Sequence, residues 1–344
     1  MESRRILIAT AVLLLSSLAC RAAAELLYGE APPASPYASF TPQASLAPIG
    51  TEAPLLTCPD VTQEILDAAT GFIEGDSLED EEFEPDVIYL VTYSVSGDQI
   101  ELPYTESVPE ELAPYQQDQF SHQEIWNYFI TLVPAGERSV LSEFSIMTDG
   151  EGNLLAAVAQ TNQDPDHWGL EVDILDTGDR LDLTYTLIHE YAHLLTLNPT
   201  QVTPSLPIFN NPEDDDIYLS EVSACPQYFP GEGCARPDSY INQFYFRFWE
   251  DIHEEWQDVN LIEDDEQYYA ALDEFYYAYE DRFVTDYAAT NPEEDIAEAF
   301  SFFVLTPRPE PDSLANEKIL FFYEFPELVR LREQIVDGIC SLNP

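Results

Sequence analysis

One stretch of this 344-residue chain, Thr186-Leu-Ile-His189-Glu190-Tyr-Ala-His193-Leu-Leu195, constrains its fold more than any other. Residues four apart on an α-helix stand one above the other, so a helix here lets His189 and His193 aim ring nitrogens at a single point. Glu190 is turned away from that point but stays close to it. In His-Glu-x-x-His, two imidazoles bind Zn²⁺ and the glutamate takes the proton from a water that attacks a carbonyl carbon. Leu187, Ile188, Tyr191, Ala192, Leu194 and Leu195 are all uncharged, as a helix buried beneath such a site requires. The contrast is strong, because the chain holds 66 acidic against 12 basic residues, a formal charge of −54.

A catalytic zinc takes three protein ligands and leaves one position for water. The extended histidine pattern of metzincins is excluded, since Thr196 and Pro199 stand three and six residues beyond His193, where that pattern has Gly and His. A carboxylate is then expected. The best source is Tyr287-Ala-Ala-Thr-Asn291-Pro292-Glu293-Glu294-Asp295-Ile-Ala-Glu298-Ala-Phe300. Asn291 is a good N-cap and Pro292 suits the first helical position, so a helix starts here. Glu294 and Glu298, four apart, share one face. Standing three residues after the N-cap, Glu294 also suits a capping box. Glu298 does not, and Ile296, Ala297, Ala299, Phe300, Phe302, Phe303 and Val304 surround it with apolar side chains. A buried carboxylate needs a partner, and the N–H of a zinc-bound histidine would serve.

Tyr287 to Phe300 resembles the third-ligand helix of lethal-factor-like zinc peptidases among the gluzincins, whose pattern runs Tyr-Gly-x-Thr-Asn-x-x-Glu-x-x-Ala-Glu. Tyr287, Thr290, Asn291, Glu294, Ala297 and Glu298 match it in register, and Ala288 replaces the usual Gly. The resemblance implies that His189, His193 and Glu294 bind Zn²⁺ and that Glu190 is the general base. It further implies that Tyr287 donates to the developing oxyanion and that Glu298 orients a histidine. The stretch from His193 to Glu294 is longer than gluzincins usually have, which an insertion carrying a cysteine hairpin explains. Helical geometry agrees with Glu294 as ligand, because Glu293 and Asp295 are turned about 100° to either side of it.

Upstream, Val87 to Val95 reads as a buried strand, Gln123 to Leu132 as a helix, and Trp168 to Leu175 as a half-exposed strand. Phe144 to Met147 and Leu154 to Gln160, joined by Asp149-Gly150-Glu151-Gly152, read as a hairpin. An exposed edge strand of such a sheet could lay an extended peptide across the metal. Ser239 to Val259 and Asp264 to Phe283 read as aromatic-rich helices, with His253 exposed or ion-paired among acids. The expected fold is α+β and zincin-like: a small, mostly antiparallel sheet over the active helix, then a mainly helical C-terminal half.

Arg4 and Arg5 precede an apolar run, Ile6 to Ala19, that is too short for a comfortable membrane span, so residues 1–24 read as an export signal. Leu18-Ala19-Cys20 resembles the end of a lipobox, which would place a lipid anchor on Cys20, while Ala22 to Ala24 offers an ordinary cleavage site. Residues 25–57, rich in Pro, Ala and Ser, read as a tether, and residues 58–344 as the folded domain. Acidic segments at Glu74 to Asp86 and Pro212 to Asp216 read as solvated linkers, since neither has calcium-loop spacing. Export leaves Cys58, Cys225, Cys234 and Cys340 in an oxidising medium; of three possible pairings, Cys225 with Cys234 would close a Pro/Gly loop and Cys58 with Cys340 would join the domain's ends. The charge disfavours nucleic acid and anionic lipid as partners. The sequence thus points to an exported, extracytoplasmic zinc peptidase acting on peptide or protein. The alternative is a surface lipoprotein that keeps this fold for binding without catalysis.

Overall fold

The computed structural model describes residues 58–70 (side chains of 61–69), 87–150, 152, 154–262 and 264–342. The expected signal, tether and Glu74 to Asp86 linker lie outside them. After helix α1 (Cys58–Thr70), strands β1 (Ile88–Ser96) and β2 (Gln99–Thr105) form a hairpin around Gly97, whose φ of +62° suits a residue without a side chain. A short helix α2 (Ala113–Gln117) leads to α3 (Gln119–Leu132), which is capped by the Asp118 carboxylate on the Ser121 N–H. The sheet continues with β3 (Leu141–Thr148), β4 (Ala156–Thr161) and β5 (Asp164–Asp173).

Its order is β2-β1-β3-β5-β4, with β3 and β5 parallel and the other neighbours antiparallel. The mostly antiparallel sheet therefore forms, but β3 and β4 are not the hairpin that the Asp149-Gly150 turn suggests. The chain leaves β3, crosses to the far edge, and returns as β5 between the two. Trp168, Leu170 and Val172 of β5 are wholly buried in the core, and the inner position gives the β5 backbone ladder partners on both sides. The shorter, alanine-rich β4 takes the edge.

The second half is mainly helical. Helix α4 (Arg180–Leu197) starts where the Asp179 carboxylate accepts the N–H groups of Leu181 and Asp182, and stops at Asn198 before Pro199. A ribbon of β6 (Val202–Pro204) and β7 (Gly233–Ala235) encloses α5 (Leu206–Asn210) and α6 (Asp215–Ala224). Asp214, Asp215 and Asp216 cap and open α6 instead of forming a linker. A disulfide joins Cys225 to Cys234 as expected. Cys340 is also disulfide-bonded, and the side chain of its expected partner, Cys58, lies outside the described residues.

Next come α7 (Tyr240–Phe248), α8 (His253–Asn260), α9 (Asp265–Ala278), α10 (Pro292–Leu305), α11 (Leu314–Phe322) and α12 (Pro326–Leu342). The helix expected over Ser239 to Val259 is thus two, broken around Trp249. His253 is half-buried against the rings of Tyr245 and Trp256, 5.0 and 5.2 Å away between centroids, and not exposed among the acids. Helix α4 packs on α1, on β4 and on α10, so the edge strand and the two buried helices meet around one core. No helix among the described residues is long and apolar enough to cross a membrane.

Candidate metal centre

The side chains that share one face of α4 and one face of α10 point at each other. Nε2 of His189 and Nε2 of His193 are 3.1 Å apart. Oε2 of Glu294 lies 3.0 Å from the first and 3.4 Å from the second. Glu294 is brought there by its cap: the Asn291 side chain accepts the Glu294 N–H at 2.8 Å, while the Glu294 carboxylate does not close the capping box and faces the histidines instead.

This triangle has too many acceptors for its donors. Glu298 Oε1 lies 2.8 Å from Nδ1 of His189, and an ionised carboxylate can only accept, so Nδ1 carries the proton. In the neutral ring Nε2 then presents a lone pair towards Glu294 and His193. A shared cation resolves the conflict. Donor atoms held about 2.0–2.1 Å from a tetrahedral zinc stand about 3.3 Å apart, and the three edges here run from 3.0 to 3.4 Å. Two imidazoles and a carboxylate also suit that metal by donor type, so the residues fit the ion the sequence implies. Oε1 of Glu294 and Nδ1 of His193 are buried without a hydrogen-bond partner.

Glu190 lies beside the triangle, with one carboxylate oxygen within 4.8 Å of a nitrogen of each histidine. Its Oε2 accepts the backbone N–H of Val158 on edge strand β4 at 3.0 Å, and Oε1 is buried without a partner. Tyr287 packs its ring 5.9 Å from that of His189. Every expected site residue is therefore gathered in one place. All are buried: His189, Glu190 and Glu294 are fully covered, and Tyr287 is the most exposed at 9%.

Charge and burial compete here. Burial pushes the Glu190 carboxyl up to about 7 against the pull of both histidines. It also favours neutral Glu294, but His193 and His189 outweigh it and hold that carboxyl at about 2. Burial favours neutral His189 as well, and Glu294 and Glu298 overcome it, raising the imidazole well above its ordinary value.

Further supporting residues escape a reading of the sequence. The Tyr185 hydroxyl reaches both oxygens of Glu298 at 2.9 Å, and Thr285 donates to Oε2 at 2.7 Å. Tyr185 precedes His189 by four residues, so helical spacing could have revealed it. Thr285 and the Val158 N–H carry no such signal. The remaining carboxylates of α10 have partners elsewhere: Tyr228 donates to Glu293 at 2.7 Å, and Asp295 takes the Trp249 indole N–H at 2.6 Å and Lys318, the chain's only lysine, at 2.5 Å.

Comparison with protein families, with curated proteins and with solved structures finds no match to this chain.

Proposed function

We propose that this chain is an exported, zinc-dependent peptidase with a zincin-like fold, in which His189, His193 and Glu294 hold the metal. The observation that carries this reading is the triangle of three acceptor atoms, 3.0 to 3.4 Å on a side, next to a buried carboxylate with one unpartnered oxygen. Zinc, when bound, polarises a carbonyl and acidifies water. The chain's own residues do the rest. Glu190 takes a proton at Oε1 while the Val158 N–H holds Oε2, and it later gives that proton to the departing amine. A carboxyl pushed up to about 7 is well matched to both transfers near neutral pH. The Tyr287 hydroxyl donates to the carbonyl oxygen as charge collects there. Glu298, held by Tyr185 and Thr285, fixes the ring of His189. Edge strand β4, whose Val158 N–H reaches Glu190, is the strand along which an extended peptide would lie once its cover parts.

The rival reading is a fold that keeps the metal for binding or stability and does not cleave. The complete burial of the three ligands favours it, because cleavage requires the covering segments to part for substrate. Digestion of a mixed peptide library by the zinc-loaded protein, compared with Glu190→Gln, separates the two. Hydrolysis that falls by orders of magnitude in the variant at unchanged zinc content is the expected result. Equal turnover in both proteins, or none in the wild type, contradicts the peptidase reading.

A further inference from the structure

A second group of acids meets just upstream of α4. Asp149 follows β3, Asp173 ends β5, and Asp176 stands in the connection from β5 to α4. One carboxylate oxygen from each lies within 4.8 Å of the other two. Asp173 is fully buried and Asp149 is 4% exposed. Among the described residues, no lysine, arginine or histidine makes an ion pair with Asp149 or Asp173. Backbone groups satisfy part of the site: Asp149 Oδ2 accepts the Leu154 N–H at 2.8 Å, Asp173 Oδ2 the Asp149 N–H at 2.9 Å, and Asp173 Oδ1 the Leu175 N–H at 2.6 Å. Oδ1 of Asp149 remains, buried and without a partner.

Buried carboxylates crowded together need a counter-charge or a proton. Burial first, and then the nearby Asp176 carboxylate, push the Asp173 carboxyl up to about 7 against its own hydrogen bonds. We propose that Asp149, Asp173 and Asp176 bind a calcium ion. The donors are all oxygens, which suits a hard cation and not the nitrogen and sulfur preference of zinc. Calcium takes oxygens at 2.3–2.6 Å, so ligands on opposite sides of it stand about 4.6–5.2 Å apart, and a trio confined within 4.8 Å can share one ion. Magnesium is smaller, takes its ligands at about 2.0–2.1 Å and dehydrates reluctantly, so a trio spread over distances up to 4.8 Å suits the larger ion better. The ion would tie the loop after β3 to the connection that leads, three residues beyond Asp176, to the Asp179 cap of α4. It would thus brace the start of the helix that carries His189 and His193, and it does not depend on whether the chain cleaves peptides.

The test is calcium titration of the full chain, stripped with chelator, followed by calorimetry and by thermal unfolding. The wild type is expected to take up one saturable calcium per chain and to unfold at a higher temperature with it. Asp149→Asn and Asp176→Asn are each expected to lose that ion and that rise while keeping stoichiometric zinc. Asp176 is only half-buried, so its variant keeps the test open if Asp149→Asn fails to fold. Calcium uptake of the same stoichiometry and affinity in the variants would place the ions on the acidic surface and overturn the proposal. So would the absence of saturable uptake, or an equal thermal shift from magnesium at the same concentration.

Discussion

Glu294 and Glu298 are the residues on which the account of the centre turns, because one chemical group occurs twice on one helix face with different neighbours. Glu294 touches both histidine Nε2 atoms, whereas Glu298 touches Nδ1 of His189 and two hydroxyls. Glu294→Ala should therefore abolish stoichiometric zinc, and Glu298→Ala should weaken zinc binding about 10- to 100-fold, as loss of a group that only orients a ligand does. Competitive metal titration distinguishes the two, and the reverse order would mean that the helix is misread by one turn. At this scale much of the site was legible. The spacings of His189 with His193, and of Glu294 with Glu298, fix a face by helical periodicity alone. Thr285 and the Val158 amide could not be foreseen, because their contacts join segments with no periodic relation to the motif.

At the scale of elements, the question is what holds the roll of α10, since a rotation of about 100° would replace Glu294 with a neighbour. The four carboxylates are bound in three directions: Glu293 to Tyr228, Asp295 to Trp249 and Lys318, and Glu294 with Glu298 to the histidines. Lys318 comes from α11 and is fully buried, with its ammonium 4.1 Å from the Phe283 ring centroid. Lys318→Met should destabilise the fold by about 3–5 kcal/mol, because it strands a buried carboxylate. Adding Asp295→Asn should recover part of that loss. Denaturant unfolding of the single and double variants measures it, and full additivity of the two substitutions would argue against coupling. The helix ends were readable from their caps, Asp179 and Asn291. The order of the strands was not, because Asp149-Gly150 signals a reversal of the chain without specifying which strand lies beside β3. That choice depends on burying Trp168, Leu170 and Val172, which the sequence of β5, carrying Asp164, Asp166, Glu171 and Asp173 as well, does not announce.

For the molecule as a whole, the dominant fact is a formal charge of −54. Several described cations are already paired, Lys318 with buried Asp295 and Arg138 and Arg282 with the exposed Asp98 and Asp251. The surface is left to repel itself. Raising the salt from about 0.01 to about 0.15 M shortens the screening length from about 30 to about 8 Å, so the unfolding temperature should rise over this range. A falling midpoint in thermal melts would show that attractive ion pairs outweigh the repulsion. Against that acidic background a buried pair of imidazoles and one carboxylate is a specific place for a cation, and the central claim is that zinc occupies it. X-ray diffraction at the zinc absorption edge, from crystals of the protein purified without chelator, tests this most directly. The account predicts one strong anomalous peak per chain, about 2.0–2.2 Å from Nε2 of His189, Nε2 of His193 and a carboxylate oxygen of Glu294. A peak ligated by Glu298 in place of Glu294, or no peak at the histidines, would contradict it.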